Sequence, residues 1–303
     1  MHERLLALSR KVSNWGRWGP DDERGTVNFI TPDVVRRGAA AVRRGAVFSL
    51  GLPLGADGPQ IGQGGRFNPI HLMLGVDARI GEASFADDLV VMPLQCATQW
   101  DGLAHVHYDG KLYNGYPAST VTVGGAGRNG IERQGAGIIS RGVLLDIARL
   151  KGVERLAAGT VITPAELEAA EQAGRVRAER GDVLLIRTGH LGLFTIDHDR
   201  QAYMKASPGL GVACVEWLHG REVAAVATDT MLVEVMPWED PSLVLPLHLL
   251  CIRDMGLTLG EMFDLDALAA DCARDGVWEF LFSAPPLKVV GGVGSPLNPL
   301  GVK

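Results

Sequence analysis

Residues 94–110 read LQCATQWDGLAHVHYDG, and this stretch brings two aspartates, two histidines and two glutamines together beside a tryptophan. If the segment around Gln99 and Asp101 is a strand, both side chains point to the same face because strand side chains alternate. A carboxylate oxygen and an amide oxygen suit Mn²⁺ or Mg²⁺, and a carboxylate also suits Zn²⁺. The alternative is that Gln95, Gln99 and Asp101 are hydrogen-bonded polar groups in the core beside a turn. Local sequence leaves both interpretations open.

His105 is the residue of this stretch best suited to carry a proton. It follows Asp101 by four residues, with the turn-permitting Gly102 between them. It can therefore approach a ligand held at Asp101 without being a ligand itself. An unperturbed histidine pKa of about 6.5 suits proton transfer near neutral pH. We interpret His107 only as a same-face neighbour of His105.

A second candidate region is LPLHLLCIRDMGLTLGEMFDLDAL, residues 245–268. His248 lies in an apolar run, where a histidine is either a hydrogen-bonded core residue or a ligand. Glu261 follows Thr258 in a Thr-x-x-Glu pattern, which is typical of a helix capping box. The local sequence does not decide whether Glu261 is a cap or a ligand.

Composition excludes several classes of protein. The chain has 303 residues, 47% of them hydrophobic, with a net charge of −6 and a pI near 5.8. This charge argues against nucleic acid or an anionic membrane as the main partner. The longest apolar run, residues 243–252, is far short of the roughly 20 residues that span a bilayer. Four scattered cysteines and the lack of a secretory signal predict a cytoplasmic protein.

The hydrophobic pattern predicts a mixed α/β protein rich in strands. Three helices are predicted over residues 31–45, 163–174 and 265–276, the first two with Thr31 and Thr163 as N-caps followed by proline. Strands are predicted in the segments AVFSLGLPL, IHLMLGV, GVLLDIA, DVLLIRTG, EVAAVATD and WEFLFSAP. Several are continuous apolar runs, which is typical of strands covered on both faces.

Two common catalytic patterns are not supported. The chain contains no Gly-x-Ser-x-Gly motif for a nucleophilic serine. Residues 125–130, GAGRNG, match Gly-x-Gly-x-x-Gly, but the following segment is too rich in glycine for the helix that a dinucleotide site requires. We interpret them as a loop.

Together these stretches resemble the metal-dependent cyclase/hydrolase family of bacterial kynurenine formamidase and isatin hydrolase. That family carries His-x-Gly-Thr-His-x-Asp-x-Pro-x-His, and residues 95–105 read QCATQWDGLAH at the equivalent place. The positions that keep the pattern are Thr98, Asp101 and His105, and those that depart from it are Gln95, Gln99 and Leu103. Four other segments resemble a Thr-Gln-Trp-Asp-Gly branch of the family, namely NWGRWGPDDERGTVNFITPD, KLYNGYPAS, GVLLDIAR and GDVLLIRTG. Two more, ATDTMLVEVMP and PLKVVGGVGSPLNP, resemble the family's Asp-bearing strand-to-loop segment and its C-terminal end.

The resemblance implies a strand-rich, swivelling β/β/α fold of the kynurenine formamidase-like cyclase type. It implies one domain over residues 1–303, with an N-terminal extension of about residues 1–45 packed on the core or on a neighbouring subunit. It also implies a homodimer or homotetramer that hydrolyses a small cyclic or aryl amide or lactone with a divalent ion and a histidine acid/base.

The resemblance further implies a ligand set. His248 and Glu261 match the distal histidine and glutamate of the family's metal site and join Asp101, with Gln99 as an optional oxygen ligand. Because Gln95 and Gln99 replace two imidazoles and glutamine is a weaker ligand, one Mn²⁺ or Zn²⁺ is expected rather than two.

Asp101 and His105 are the predicted catalytic residues, and the substrate-binding candidates are Gln95, Trp100, Trp15, Trp18 and His71. Trp15 and Trp18 lie in loop-like contexts, where a tryptophan lines a groove or packs in the ordinary way. Two alternatives to the hydrolase stay open. One is a metal-free or metal-optional cyclase, dehydratase or isomerase that uses Asp101 and His105, and the other is a non-catalytic small-molecule binder.

Overall fold

The structure, a computed structural model, describes residues 3–303. Residues 1 and 2 of the predicted N-terminal extension lie outside the described residues. The helices are α1 (Glu3–Val12), α2 (Pro32–Ala40), α3 (Ile147–Leu150), α4 (Pro164–Gly174), α5 (Gly192–Thr195), α6 (Arg200–Lys205), α7 (Cys214–Arg221), α8 (Pro246–His248) and α9 (Asp266–Asp275). Helix α8 continues directly into a π-helix over Leu249–Met255.

The strands are β1 (Val47–Ser49), β2 (Ile70–Ile80), β3 (Ala83–Val91), β4 (Gln99–Asp101), β5 (Val121–Thr122), β6 (Gly125–Ala126), β7 (Ile139–Asp146), β8 (Val161–Ile162), β9 (Val183–Arg187), β10 (Gly209–Leu210), β11 (Ala225–Thr228), β12 (Thr258–Glu261), β13 (Glu279–Ser283), β14 (Gly294–Pro296) and β15 (Leu300–Val302). Short 3₁₀ turns lie at Gly25–Phe29, Gln63–Gly65, Tyr113–Gly115, Ala118–Thr120 and Ile131–Gln134.

A mixed sheet of nine strands forms the centre of the molecule, in the order β1-β15-β13-β7-β9-β11-β12-β4-β14. Its middle strands β7, β9, β11 and β12 are parallel, and the remaining pairs are antiparallel. Alternate residues of the middle strands belong to two separate cores: Leu184 and Ile186 face one, and Val183 and Leu185 face the other. The sheet is therefore covered on both faces, which explains the continuous apolar runs in these strands.

Helix starts follow the predicted capping chemistry. Thr31 accepts a hydrogen bond from the backbone of Val34, and Thr163 and Glu166 form a reciprocal capping box at the start of α4. These two predicted starts are confirmed. Helix α2, which was predicted to close at Gly45, ends at Ala40 instead. The chain leaves helical geometry before it reaches the glycine that was expected to terminate the helix.

Two strand predictions need correction. The segment AVFSLGLPL contributes only the three residues of β1. The segment IHLMLGV is a strand, but it is exposed on both faces as part of the hairpin β2–β3, which pairs with no other strand among the described residues. A continuous apolar run was expected to be covered on both faces, and in a single chain this one is not.

The N-terminal helix packs against the elements that lead to the candidate site. Leu5 and Val12 of α1 are buried in the core that also contains the π-helix. The side-chain amide of Asn14 donates to the carbonyl of Met255, and the indole of Trp15 donates to that of Arg253. Within residues 3–303, no helix is both long enough and apolar enough to cross a membrane.

Candidate metal centre

Two paired strands present the first polar groups of the centre. Glu261 of β12 pairs with Gln99 of β4 in an antiparallel register, and Trp100 pairs with Gly260. Because strand side chains alternate, Gln99, Asp101 and Glu261 leave the sheet on one face while Trp100 leaves it on the other. All three polar side chains are buried.

His248 approaches this face from the end of α8. The helix begins after Leu245, whose left-handed backbone (φ 55°) turns the chain into it. Glu234 accepts hydrogen bonds from the backbone amides of Leu247 (3.3 Å) and His248 (3.0 Å), and also from Nδ1 of His248. Because Nδ1 is bound in this way, Nε2 of His248 is the ring nitrogen directed at the carboxylates.

Short distances join the members of the cluster. Nε2 of His248 lies 3.2 Å from Oε1 of Glu261 and 4.0 Å from Oδ2 of Asp101. The amide nitrogen of Gln99 donates to Oε2 of Glu261 (2.8 Å) and to Oδ1 of Asp101 (3.2 Å). The amide thus links two buried carboxylates that would otherwise repel each other.

The cluster has more negative groups than positive ones. Burial, followed by the charge of Asp101, raises the pKa of Glu261 above its ordinary value. Burial alone would lower the pKa of His248, but the hydrogen bonds and charges of Glu234 and Glu261 outweigh it and raise that pKa to about 10. Three buried carboxylates beside one imidazole therefore favour an additional proton or cation.

The residues present fit a divalent ion. One donor atom from each of Asp101, His248 and Glu261 lies within 4.8 Å of the other two. Oε1 of Gln99 is buried without a hydrogen-bond partner among the described residues. If the side-chain amide of Gln99 were flipped by half a turn, its oxygen would face the carboxylates of Asp101 and Glu261. That arrangement is favourable only with a cation between the three oxygen-bearing groups. Two carboxylates, an imidazole and an amide oxygen suit Zn²⁺ or Mn²⁺.

His105 lies at the rim of the cluster. A hydrogen bond of 3.0 Å from its backbone amide to the carbonyl of Gly102 closes the turn predicted between Asp101 and His105. Its Nε2 lies 3.7 Å from Oδ1 of Asp101, and its side chain is 20% exposed. Burial lowers the pKa of His105, the charges of Arg66 and His248 add to that effect, and Asp101 opposes it. The ring is thus beside the candidate ligands yet reachable from outside.

Arg66 contributes a positive charge that the sequence did not indicate. It is partly exposed, and its guanidinium makes no hydrogen bond or ion pair to another residue in the described range 3–303. Its positive charge nevertheless opposes the rise in the pKa of Glu261 and adds to the fall in the pKa of His105. The side-chain amide of Gln60 holds this segment in place by donating to the carbonyl of Cys96 (2.9 Å).

The structure brings together Asp101, His105, His248, Glu261 and Gln99. Gln95 is adjacent: it is buried, its Nε2 has no partner among the described residues, and it lies against Gly294, which pairs with Asp101. His107 is exposed.

The other predicted substrate-binding residues are not members of this cluster. Trp100 is fully buried in the opposite core, where its indole donates to the carbonyl of Ala284, so it cannot line the site. His71 lies on the exposed hairpin and pairs with Asp88. Trp15 and Trp18 contact the residues Arg253, Gly115, Arg17 and Phe29.

The capping interpretation of Glu261 is wrong. Thr258 and Glu261 belong to strand β12, and Thr258 accepts a hydrogen bond from Gln134. Sequence reasoning also missed Glu234, although it lies in the quoted segment ATDTMLVEVMP. Its acidic side chain in an otherwise apolar run was the available signal, but only the folded chain shows that it faces His248.

Comparison with known proteins places this chain in a family. A model of the Cyclase family, described as "Putative cyclase", matches residues 23–235, more than half of the chain. The chain belongs to the Cyclase family. A solved structure described as a novel cyclase is 38% identical, with a TM-score of 0.90 over 97% of this chain and 99% of that one.

More distant Cyclase-like folds include proteins named as hydrolases. Isatin hydrolase A from Ralstonia solanacearum is 23% identical, with a TM-score of 0.66 over 90% of this chain and 99% of that one. A potential metal-dependent hydrolase with cyclase activity is 14% identical, with a TM-score of 0.52 over 84% of this chain and 98% of that one. At these identities the likeness shows the fold alone. No curated protein matches the sequence.

These matches confirm the predicted membership of the cyclase family and the strand-rich mixed α/β fold, a fold that isatin hydrolase A shares. Membership of the Cyclase family indicates an enzyme of the hydrolase or cyclase kind.

Proposed function

We propose that this member of the Cyclase family is a mononuclear metal-dependent hydrolase of a small cyclic or aryl amide or lactone. The observation that carries the proposal is the convergence of Asp101, His248 and Glu261 in one buried cluster, with His105 at its rim. The names of the hydrolases that share the fold support the reaction class.

Each residue of the cluster has a proposed role. Asp101, His248 and Glu261 would hold Mn²⁺ or Zn²⁺, with the amide oxygen of Gln99 as an optional fourth donor. A bound ion of this kind supplies Lewis-acid polarisation of a carbonyl and a more acidic water. Glu234 fixes the tautomer and orientation of His248 through its bond to Nδ1.

Two further residues would act on the substrate. His105, which lies beside Asp101 but is not one of the three clustered donors, would transfer a proton to the leaving nitrogen or oxygen. Arg66, whose guanidinium has no protein partner among residues 3–303, would hold the carboxylate or oxyanion that hydrolysis produces.

One observation favours a second candidate, a metal-optional cyclase, dehydratase or isomerase. The amide nitrogen of Gln99 already bonds to both Asp101 and Glu261, so the two carboxylates are linked without an ion. In that case Asp101 and His105 would carry out acid/base chemistry by themselves.

The distinguishing experiment is turnover of a panel of cyclic amides, aryl formamides and lactones by metal-stripped and reloaded protein. The hydrolase proposal requires activity that is lost on chelation and restored by Mn²⁺ or Zn²⁺. Equal turnover by stripped protein would support the second candidate. If no member of the panel is consumed under either condition while the folded protein still binds small aromatic acids, a binding protein is the better description.

The setting of the enzyme is also part of the proposal. The four cysteines are free and buried, which supports a reducing, cytoplasmic location. The N-terminal extension is proposed to belong to the single domain, because its helix shares a core with the π-helix that follows His248.

A further inference from the structure

Gln95 is a buried polar residue beside the candidate metal centre whose side-chain amide has no partner in the chain. Its exposed fraction is 9%. Neither the nitrogen nor the oxygen of the amide forms a hydrogen bond with any residue in the described range. Because buried polar groups are nearly always hydrogen-bonded, a free amide at this place indicates a partner that comes from outside the chain.

A tight turn over residues 93–96 holds Gln95 in position. The backbone amide of Cys96 donates to the carbonyl of Pro93 (3.3 Å), and the carbonyl of Cys96 accepts from the side-chain amide of Gln60 (2.9 Å). Gln60 is itself held, because its backbone amide donates to Oδ1 of Asn68 (2.8 Å). The backbone next to Gln95 is thus fixed, and the direction of its side chain is set by the fold.

Two glycines make room for the side chains of this turn. A Cβ added at Gly294 would come within 2.5 Å of Nε2 of Gln95, and one added at Gly292 would come within 3.2 Å of Cδ1 of Leu94. Gly294 pairs with Asp101 in the register of β14 and β4, and the Cβ atoms of such paired residues lie about 4.5–5.5 Å apart on one face. The amide of Gln95 therefore fills the place of the missing side chain next to Asp101.

The two polar atoms of the amide differ in their surroundings. The nitrogen is enclosed against Gly294, so the oxygen is the polar atom of Gln95 that is left for a ligand. An amide oxygen only accepts hydrogen bonds. The ligand must therefore supply an N–H or O–H donor, which the N–H of an amide provides and the ring oxygen of a lactone does not.

We propose that Gln95 is a specificity-determining residue whose amide oxygen accepts a hydrogen bond from the N–H of the substrate. The site thereby selects N–H amides over lactones. This inference rests on the proposed function, which includes both kinds of substrate. At a position where the family pattern has a histidine, this chain would use a carboxamide to recognise substrate. A site built around a hydrogen bond to substrate discriminates strongly against an analogue that lacks the bonding group.

The proposed contact also fits the role of His105. Both Gln95 and His105 lie beside Asp101, with Nε2 of His105 3.7 Å from its Oδ1. In hydrolysis water supplies the oxygen that bonds to the acyl carbon, the C–N bond breaks, and its electron pair stays on the nitrogen. Gln95 would hold the N–H already on that nitrogen while His105 delivers the new proton to the electron pair.

Calorimetric titration with two ring compounds of the same shape tests the proposal. The probes are isoindolin-1-one, a cyclic aryl amide, and phthalide, the lactone in which oxygen replaces the N–H. We expect the unaltered chain to bind the amide about 10-fold or more tightly than the lactone. Gln95→Met keeps the length of the side chain but removes the acceptor, so it should bind the two probes about equally. The matched control, Gln172→Met, alters an exposed glutamine of α4 and should keep the preference.

The comparison of the two probes on the unaltered chain does not depend on how a variant folds. An unaltered chain that fails to bind isoindolin-1-one or binds phthalide as tightly, or a folded Gln95→Met variant that keeps the preference, would overturn the proposal. The readout is binding and not turnover. Equal binding of the two probes by a chain that hydrolyses both would remove the role of Gln95 and leave the hydrolase standing. A preference that Gln95→Met abolishes, without any hydrolysis, would do the reverse.

Discussion

Gln99 occupies a decisive position because its amide touches both carboxylates of the cluster. In the structure the nitrogen donates to Asp101 and Glu261, and the oxygen is left without a partner among the described residues. A buried acceptor that lacks a partner carries a desolvation penalty of about 1–3 kcal/mol. A cation would satisfy this oxygen if the amide turned over, although the nitrogen would then leave its two carboxylate partners.

The role of His105 is tested by His105→Ala. We expect metal content to stay unchanged and kcat to fall about 100-fold or more, the usual range for loss of a general acid/base. His107→Ala is the matched control, because that histidine is two residues away and exposed. Steady-state kinetics and elemental analysis on the same samples provide the measurement. Loss of the ion in His105→Ala would show that this residue is a ligand instead.

The role of Glu234 is tested by Glu234→Gln. The substitution keeps the shape of the side chain but removes the negative charge that holds Nδ1 of His248. Such outer partners of a ligating histidine typically change metal affinity by about 10–100-fold, so we expect Mn²⁺ or Zn²⁺ to bind more weakly by that factor in calorimetric titration. The control is Glu279→Gln, which alters an acid of β13 that forms an ion pair with Arg141 and should leave metal affinity unchanged. Equal metal affinities in the two variants would show that Glu234 does not support metal binding by His248.

At the scale of elements, the pairing of β4 with β12 sets the position of the site residues. Gly260 lies opposite Trp100, and a Cβ added there would come within 2.4 Å of the indole and 2.7 Å of Ala227. Trp100 cannot yield easily, because it packs between Phe263 and Phe282. The residue between Gln99 and Asp101 is thus a packing anchor that fixes the direction of its two neighbours.

Gly260→Ala tests this anchor. We expect it to destabilise the fold by about 1–3 kcal/mol through overpacking and to weaken metal binding, because β4 must move away from β12. Gly220→Ala is the control, since the glycine lies in α7 and an added Cβ meets nothing within 4 Å. That change should be neutral or stabilise by up to about 1 kcal/mol. Thermal unfolding with and without ion measures both effects, and a Gly260→Ala variant as stable as Gly220→Ala would contradict the packing argument.

At the scale of the whole molecule, predictions from sequence succeeded where the deciding contacts are local. Thr163 and Glu166 are three residues apart, so their capping box can be recognised without the fold. The same pattern at Thr258 and Glu261 is misleading, because pairing with distant strands makes that segment a strand. Glu234 could not be assigned because its contact with the end of α8 depends on the path of the intervening chain.

The same reason explains the errors at Trp100 and at the hairpin β2–β3. Trp100 lies between two site residues in sequence, but strand alternation directs it into the opposite core. The segment IHLMLGV has the composition of a buried strand, but the structure places it in an exposed hairpin whose position depends on the path of the whole chain.

Deletion of residues 1–20 tests how the N-terminal segment supports the rest of the molecule. Leu5 and Val12 share a core with the π-helix, and Asn14 and Trp15 bond to its backbone. Because that helix begins directly after His248, we expect the truncated chain to have a lower Tm and lower turnover. Unaltered Tm, assembly and kcat in the truncated chain would mean that this segment is dispensable.

The metal content of the chain shows whether Asp101, His248 and Glu261 hold a divalent ion. Protein purified without chelators, loaded with Mn²⁺ or Zn²⁺ and freed of excess ion, should carry about one divalent ion per chain by elemental analysis. Asp101→Ala should carry almost none, whereas Asp197→Ala, which alters an exposed acid paired with Arg155, should match the unaltered protein. An unaltered, folded chain that holds no stoichiometric ion, or an Asp101→Ala variant that holds as much as the unaltered chain, would contradict the account.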